Sequence, residues 1–493
     1  MPLAAPSGIS VSRTMAAITE KLTARVPEDW GVQPVPHDRR SLRPFDLAVL
    51  WGDLAVSLLV MVAGTLLVPG LGTQQALLAI VIGTVLGTVL LALAGVIGTK
   101  TGVPTMVALR APLGIRGSYA ASGLNILQLI GWAALEIIIM AQAAGALSDE
   151  YLGFRSYYFW IVFFGAVGTL MAMGGPIIVV RQWLQKFGVW VVIAAAAWLT
   201  WHLVDAYDFG EIWRRDGAGG FPNFFQGIDL VIALPVSWLP LVCDYNRFGR
   251  RAGSAAVGTY IGYAIANAWF FTLGMLYVQA LQTDPGGFVD SLVTMLLPMT
   301  LGWLALIVLL VGETDEAFAN IYSTAVSVQN LASKLKIWLL ALLVGIIATI
   351  AAANLDLIGY ETFLLLIGGV FVPVFGILLA DYFVLRGREY IIDDLFRSSG
   401  AYWYTAGLNP VAFVIWIAGF FVYAFAGQPP WLLDHMDFVS WVPDWATHVG
   451  GTIPAFTFSF VVYLGGAWLL FGAERGRASL ATAPAEGSLG AVE

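Results

Sequence analysis

The sequence predicts an all-α polytopic membrane protein with twelve transmembrane helices, and three observations carry that expectation. Of its 493 residues, 59% are hydrophobic and only 11% are charged, with a mean hydropathy of +0.81, whereas soluble domains carry about 25% charged residues. Twelve apolar segments are each long enough to cross the hydrocarbon core of a bilayer, which takes about 17–25 helical residues. Basic residues are concentrated in alternate connections, as orientation in a membrane requires. The one cysteine, Cys243, excludes an intrachain disulfide framework or a cysteine-rich metal site. No HExxH, GxSxG or GxxxxGK[ST] string is present, and no short apolar leader with a cleavage site opens the chain. Nucleic acid is not an expected partner; the lipid bilayer is.

Residues 1–43 are polar and proline-containing and read as a cytoplasmic tail. Segments 1–5, at roughly 46–70, 75–98, 120–147, 157–174 and 187–204, form a first transmembrane unit over 44–204. An acidic, aromatic extracellular loop occupies 205–224. Segments 6–10, at roughly 225–244, 256–281, 301–330, 336–353 and 359–385, form a second unit over 225–385. Segments 11 and 12, at 409–426 and 450–472, fall within 386–475, and residues 476–493 read as a disordered cytoplasmic tail. With the N-terminus inside, 21 of the 24 Lys and Arg residues fall on the cytoplasmic side, leaving only Arg155, Arg214 and Arg215 outside. The outer connections instead carry acids, among them Asp149, Glu150, Asp205, Asp208, Asp356, Asp434 and Asp437. Both termini are therefore expected in the cytoplasm, with the chain in the plasma (cytoplasmic) membrane.

Two segments do not read as plain helices. Segment 1, "LWGDLAVSLLVMVAGTLLVPG", contains Gly52, Gly64 and Pro69, and segment 6, "GIDLVIALPVSWLPLVCD", contains Pro235 and Pro240. A helix proline removes a hydrogen bond and clashes with the preceding turn. Freed backbone is tolerated at membrane depth only where protein or a wet cavity receives it. Interruptions five segments apart point to an inverted repeat of segments 1–5 and 6–10 with a site at the midplane; two ordinary kinks are the alternative.

The polar residues inside the segments are few and specific. Asp53 lies in segment 1, Asn125, Gln128 and Glu136 in segment 3, Ser237 and Trp238 in segment 6, and Asn267 in segment 7. Segment 8 carries "VGETDEAFAN", with Glu313, Asp315 and Glu316 inside an otherwise apolar run. An acid near the bilayer centre costs about 2.5–3.5 kcal/mol, so three of them imply a role away from lipid. Trp132 and Glu136 are four residues apart and share a helix face, setting an aromatic plane beside a carboxylate. Glu313, Glu316 and Asn320 fall near one face while Asp315 is turned away from it. One direction suits a substrate cavity, and the other, where Thr314 and Asp315 offer a hydroxyl and a carboxylate, suits a cation. An interhelical hydrogen-bond network is the structural alternative.

Three further stretches carry a resemblance. "GTKTGVPTMVALRAPLGIRGS" follows segment 2, "SWLPLVCDYNRF" closes segment 6, and "VPVFGILLADYFVLRG" closes segment 10. With "IGWAALE" in segment 3, they resemble the nucleobase–cation symport family 1 of cytosine, purine, hydantoin and hydroxymethylpyrimidine permeases, over roughly residues 36–475. The resemblance implies a LeuT-type five-plus-five inverted repeat with two additional C-terminal helices. It implies import of a planar nitrogen heterocycle with sodium or a proton as coupling ion, and no other cofactor. Trp132 matches the family's stacking tryptophan, Glu136 falls where relatives have a substrate-bonding glutamine, and Asn320 matches a substrate-bonding residue of segment 8. Trp238 is the nearest aromatic to the second stacking position, beside Ser237, and Glu316 belongs to the same face of segment 8 as Asn320. Thr314 and Asp315 match the family's sodium-holding hydroxyl residues, with carbonyls near Gly52 and Ala55 completing that set. Acids at 136 and 315 depart from the family's neutral residues there.

A secondary transporter is thus the expected class. An intramembrane enzyme could use paired acids, but the sequence lacks the paired membrane motifs, YD with GxGD, of membrane aspartyl proteases. A substrate sensor needs a signalling domain, for which the tails are short and plain.

Overall fold

The computed structural model describes residues 30–174, 189–284, 287–355, 359–430 and 449–481, with side chains described up to residue 466 in the last stretch. The expectations for residues 1–29, for Arg181, Lys186, Asp356, Asp434 and Asp437, and for 482–493 lie outside these residues. All twelve apolar segments hold helix. Segments 2–5 are Thr73–Thr101, Gly117–Leu152, Tyr157–Gly174 and Val189–Ala206. Segments 7–9 are Ala252–Leu281, Gly302–Leu331 and Ile337–Ala352. Segment 10 runs Tyr360–Leu379 and ends in a π-helical turn, Ala380–Leu385, while segments 11 and 12 are Pro410–Gly427 and Thr452–Ala481. Among the described residues seven helices qualify as spans by length and hydropathy, or eight with the bent pair of segment 1; segments 5, 9 and 12 give shorter apolar helices there. Segment 8, carrying its three acids, is not among the seven.

The two interruptions are real, and each has a local cause. Segment 1 consists of Pro44–Asp53 and Leu58–Thr65, bent by 59°. Ser57 starts the second half: its backbone is extended and its hydroxyl oxygen accepts from the Leu59 N–H at 3.0 Å, a standard N-cap. Segment 6 is helical over Phe224–Ser237, tolerating Pro235 within it, then tightens to a 3₁₀ turn at Leu239–Leu241 around Pro240 before resuming at Val242–Asn246.

The packing repeats under a shift of five segments. Segment 1 packs on segment 7 as segment 6 packs on segment 2, and segment 3 on segment 9 as segment 8 on segment 4. The pairs 2–7, 3–8 and 4–9 map onto themselves. Segments 11 and 12 pack on each other and on segment 10, outside this pattern. Glycines let segments 1 and 7 touch backbone to backbone: a Cβ at Gly274 would collide with the Met61 carbonyl, and one at Gly262 with that of Ala48.

Two boundaries differ from expectation. Residues 30–43 are not a free tail: Val35 and Leu42 are buried, and Arg40 donates to the carbonyls of Val35 and Thr99 at 3.0 and 2.7 Å. A few apolar residues in a polar run are enough to dock it where the helix ends expose carbonyls. Segment 12 continues as helix to Ala481, past the expected start of the C-terminal tail at 476.

The stretches that carried the family resemblance brace the fold. The Arg110 guanidinium donates to the Asn330 side chain at 2.9 Å and to the Leu395 carbonyl at 3.0 Å, and Asp244 accepts from the Thr105 N–H at 3.0 Å. Asp381, fully buried, accepts from the Tyr390 and Tyr463 hydroxyls at 2.9 and 3.0 Å, with the Arg386 guanidinium at 3.6 Å. These contacts tie segments 6, 8, 10 and 12 to the connecting loops.

Candidate substrate and cation site

The breaks in segments 1 and 6 meet at a buried cavity. It is lined by Leu54, Ser57, Leu59 and Val60 of segment 1, Leu234, Ser237 and Trp238 of segment 6, and Trp132, Tyr263, Glu316, Asn320 and Tyr360. The cavity is tight: only about 10 Å³ is open to the centre of a water molecule, room for about one water. A ring enters only when the lining parts. Its walls are aromatic. The Trp132 ring meets Tyr360 edge-on at 5.9 Å and Phe363 at 5.3 Å, and Trp238 meets Trp51 edge-on at 6.1 Å.

Beside the cavity the acids converge. One carboxylate oxygen from each of Glu136, Glu313 and Glu316 lies within 4.8 Å of the other two, and all three residues are buried. Glu136 comes from segment 3 and the others from segment 8, equivalent positions in the repeat. Glu313 clamps the break in segment 1: its carboxylate accepts from the Leu58 backbone N–H and from the Ser57 hydroxyl at 3.2 Å. A carboxylate there faces the N-terminus of a half-helix, whose free N–H groups and dipole favour negative charge. Asp53, on the other side of the break, is close enough to interact electrostatically with Glu313 and Glu316.

Apart from the neighbouring carboxyls of the acid cluster, several buried polar atoms here lack a protein hydrogen-bond partner: the Trp132 indole N–H, both oxygens of Glu136, Oε1 of Glu316, the Asn320 side-chain NH₂, Oε1 of Gln128 and Oδ2 of Asp53. Buried polar groups are normally satisfied, so this concentration marks a place prepared for a ligand. Behind it, Asn125 donates to Ser327 at 2.8 Å, and Gln128 donates to Asn125 at 2.8 Å and to the Ser237 carbonyl at 3.1 Å. Ser237 itself turns its hydroxyl back to the Leu234 carbonyl at 2.6 Å.

Of the expected substrate residues, Trp132, Ser237, Trp238, Glu316 and Asn320 line one cavity, and Glu136 stands in the acid cluster next to Glu316. The expected cation set is not brought together in the same way. The Thr314 hydroxyl donates to the Val311 carbonyl at 2.6 Å, and Thr314 lines an outer cleft between segments 3, 4 and 8, none of whose lining residues belongs to segment 1. One residue is a turn of about 100°, which carries Thr314 away from Glu313. The Gly52 carbonyl already accepts from the Ala55 N–H at 3.3 Å; Ala55 and Asp315 are buried. Gly52 and Asp53 border a cleft of about 340 Å³ between segments 1, 5 and 7. The acid that reaches segment 1 is Glu313, which the sequence placed in the cluster without a role. Tyr263, Tyr360 and Ser57 were missed as well. Only Ser57 left a signal, a serine ahead of an apolar run, the pattern of a helix start.

A cavity where the bent helix of segment 1 meets the 3₁₀ turn of segment 6, in a five-segment repeat, is the arrangement of a LeuT-type membrane transporter. The chain belongs to the family described as permeases for cytosine/purines, uracil, thiamine and allantoin, whose model matches residues 34–442. It is 24% identical over 400 residues to a hydantoin permease of Microbacterium maritypicum, covering 78% of this chain and 81% of that one. It is 26% identical over 440 residues to an allantoin permease of Bacillus subtilis, covering 83% and 89%. Its fold matches that of Mhp1, a nucleobase–cation symport-1 family transporter solved in a closed conformation with bromovinylhydantoin bound. The TM-score is 0.77 at 19% identity, over 91% of this chain and 99% of that one.

Proposed function

We propose that this protein imports a planar nitrogen heterocycle, a nucleobase or related aminopyrimidine or purine, by cation symport with alternating access. The observation that carries the reading is the closed cavity between the two helix breaks, walled by rings and edged by unpartnered donors and acceptors. Relatives named for hydantoin and allantoin support a small heterocycle as cargo. Trp132 and Trp238 stack on the ring, and Asn320, Glu316, Glu136 and Ser237 contact its edges. A carboxylate at 136 accepts hydrogen bonds, so it favours a ring edge presenting an amine over one presenting only C=O. Breaks are where backbone torsions change with the fewest lost hydrogen bonds, so the half-helices of segments 1 and 6 are the elements that open the cavity to each side in turn.

The coupling cation binds where segment 1 breaks against segment 8, with the Gly52 and Ala55 carbonyls and Asp315 as ligands. Thr314 joins only if segment 8 rotates. Sodium is the ion the family resemblance favours, and a proton on Asp315 is the alternative. Both termini face the cytoplasm in this reading, as the distribution of basic residues requires.

The test is thermal unfolding of the purified protein with cytosine, adenine, hypoxanthine, uracil and hydantoin, each with and without sodium. A ligand that binds only the folded state raises the unfolding temperature. Stabilisation by aminated rings, enhanced by sodium, supports the reading; no shift with any heterocycle removes it.

A further inference from the structure

The charge around the cavity is one-sided. Asp53, Glu136, Glu313 and Glu316 are all buried, and the electrostatic neighbours of each include other acids of the group. Among the described residues no Lys, Arg or His pairs with any of the four. The ion pairs there, Arg39–Asp38, Arg155–Asp149, Arg215–Glu211, Arg386–Asp381 and Arg397–Asp393, involve other acids. Uncompensated buried charge is costly enough that such groups are paired with a cation or share protons among themselves. Glu313 has its own partners in the Leu58 N–H and the Ser57 hydroxyl. Glu136 meets no N–H or hydroxyl group; the groups within its hydrogen-bonding reach are the carboxyls of Glu313 and Glu316. Oε1 of Glu316 is equally unpartnered, and Glu316 lines the cavity.

We infer that the transported heterocycle carries a positive charge, held by Glu136 and Glu316 and enclosed by the rings of Trp132, Trp238, Tyr263 and Tyr360. The inference rests on the proposed import of a heterocycle and names its charge. Two independent features of the cavity point to an organic cation over a metal ion. Its lining carries four aromatic rings, whose faces attract a desolvated organic cation and do not ligate a hard metal. It also presents two unpartnered, buried donors, the Trp132 indole N–H and the Asn320 NH₂. A donor repels a metal ion but bonds a ring acceptor, so a ligand with a cationic N–H edge and an acceptor edge satisfies both sets at once. Amidinium-type rings, such as protonated or N-alkylated aminopyrimidines and aminopyridines, have this pattern.

The test measures binding of full-length protein in detergent to matched pairs of rings: N-methylated aminopyridinium and aminopyrimidinium ions and their neutral parents, with cytosine and uracil alongside. Each is titrated without metal, with sodium and with calcium. The expected result is that the cations bind about tenfold or more tightly than the neutral rings. Glu316→Gln and Glu136→Gln should erase that preference, with a cooperative thermal unfolding transition showing that each variant is folded; a preference unchanged in both folded variants overturns the inference. If neutral rings bind as tightly as the cations, or are the only ligands, the inference is overturned while the heterocycle reading stands. It is also overturned if neutral rings bind only with sodium or calcium and Glu316→Gln abolishes that metal dependence, because the carboxylates then hold an inorganic ion. If no ring of either charge binds, the heterocycle reading fails first and the inference falls with it.

Discussion

Glu313 is where two large electrostatic effects oppose each other, so its replacement has a predictable sign. Its carboxylate accepts from the Leu58 N–H and the Ser57 hydroxyl, and it lies within 4.8 Å of carboxylate oxygens of both Glu136 and Glu316. Glu313→Ala leaves a buried N–H of the half-helix without an acceptor, costing about 1–3 kcal/mol, and opens a cavity in addition. Glu313→Gln keeps an acceptor for Leu58 and gives up only the charge-assisted part of the bond, on the order of 1 kcal/mol. It also removes one charge from the cluster. Where Glu313 and a neighbouring carboxyl are both ionised, two unit charges 4.8 Å apart repel by about 3.5 kcal/mol at an effective dielectric of about 20. With no cation bound, relief of repulsion outweighs the weakened bond. Thermal unfolding in detergent, without substrate and at low salt, should therefore place Glu313→Gln at or above the wild type and Glu313→Ala several degrees below it. A Gln variant that falls as far as the Ala variant would refute the reasoning, since the clamp would then need the charge and the cluster would not be repulsive.

The remaining predictions follow from the same structure. Gly274→Ala should destabilise by about 1–3 kcal/mol through overpacking, because the added methyl meets the Met61 carbonyl, whereas Gly253→Ala, with nothing within 4 Å, should not; paired unfolding curves decide it. Asp381→Ala should cost about 3–5 kcal/mol by stranding Arg386 and leaving two buried tyrosine hydroxyls without an acceptor. Heterocycle selectivity should be unchanged in any folded protein recovered. Asp315→Asn should weaken ion dependence of uptake more than substrate binding, and unchanged ion dependence would remove Asp315 from the cation site. In competition uptake Glu136→Gln should move preference from aminated to oxo rings, while Trp132→Ala should weaken both; equal inhibition by cytosine and uracil in wild type and Glu136→Gln alike would exclude Glu136 from recognition.

Much of the scaffold was legible because burial in lipid writes itself into composition. Segment 9 was read at 336–353 and is Ile337–Ala352; segment 11 was read at 409–426 and is Pro410–Gly427. Breaks in segments 1 and 6 were legible as interruptions, and Pro240 marks the turn in segment 6, but Gly52 and Pro235 do not mark breaks. Gly52 lies inside the first half-helix and Pro235 inside a helix, while the turns fall at Ser57 and Pro240. A cap is a local bond that propensity alone does not reveal. The contact of Glu313 with Ser57, 256 positions away, was not legible, because helix periodicity fixes which residues share a face and not what that face meets. For the same reason Thr314 and Asp315 could be turned away from Asn320 on paper without showing that Thr314 faces an outer cleft. Asp229 is another such case: it lies in segment 6, yet its carboxylate accepts from the Gly451 and Thr452 N–H groups at the start of segment 12, at 2.5 and 3.0 Å.

The central claim is concentrative import through the cavity between the two breaks, and accumulation of a radiolabelled heterocycle in proteoliposomes tests it most directly. The ring used is the one that most stabilises the purified protein, and uptake is measured with an inward sodium gradient, an inward proton gradient and neither. The account predicts internal concentrations above the external one under one of the two gradients, collapse to equilibration when that gradient is dissipated, and loss of accumulation in Trp132→Ala. Equilibration without accumulation under every gradient, or accumulation undiminished by Trp132→Ala, would contradict it.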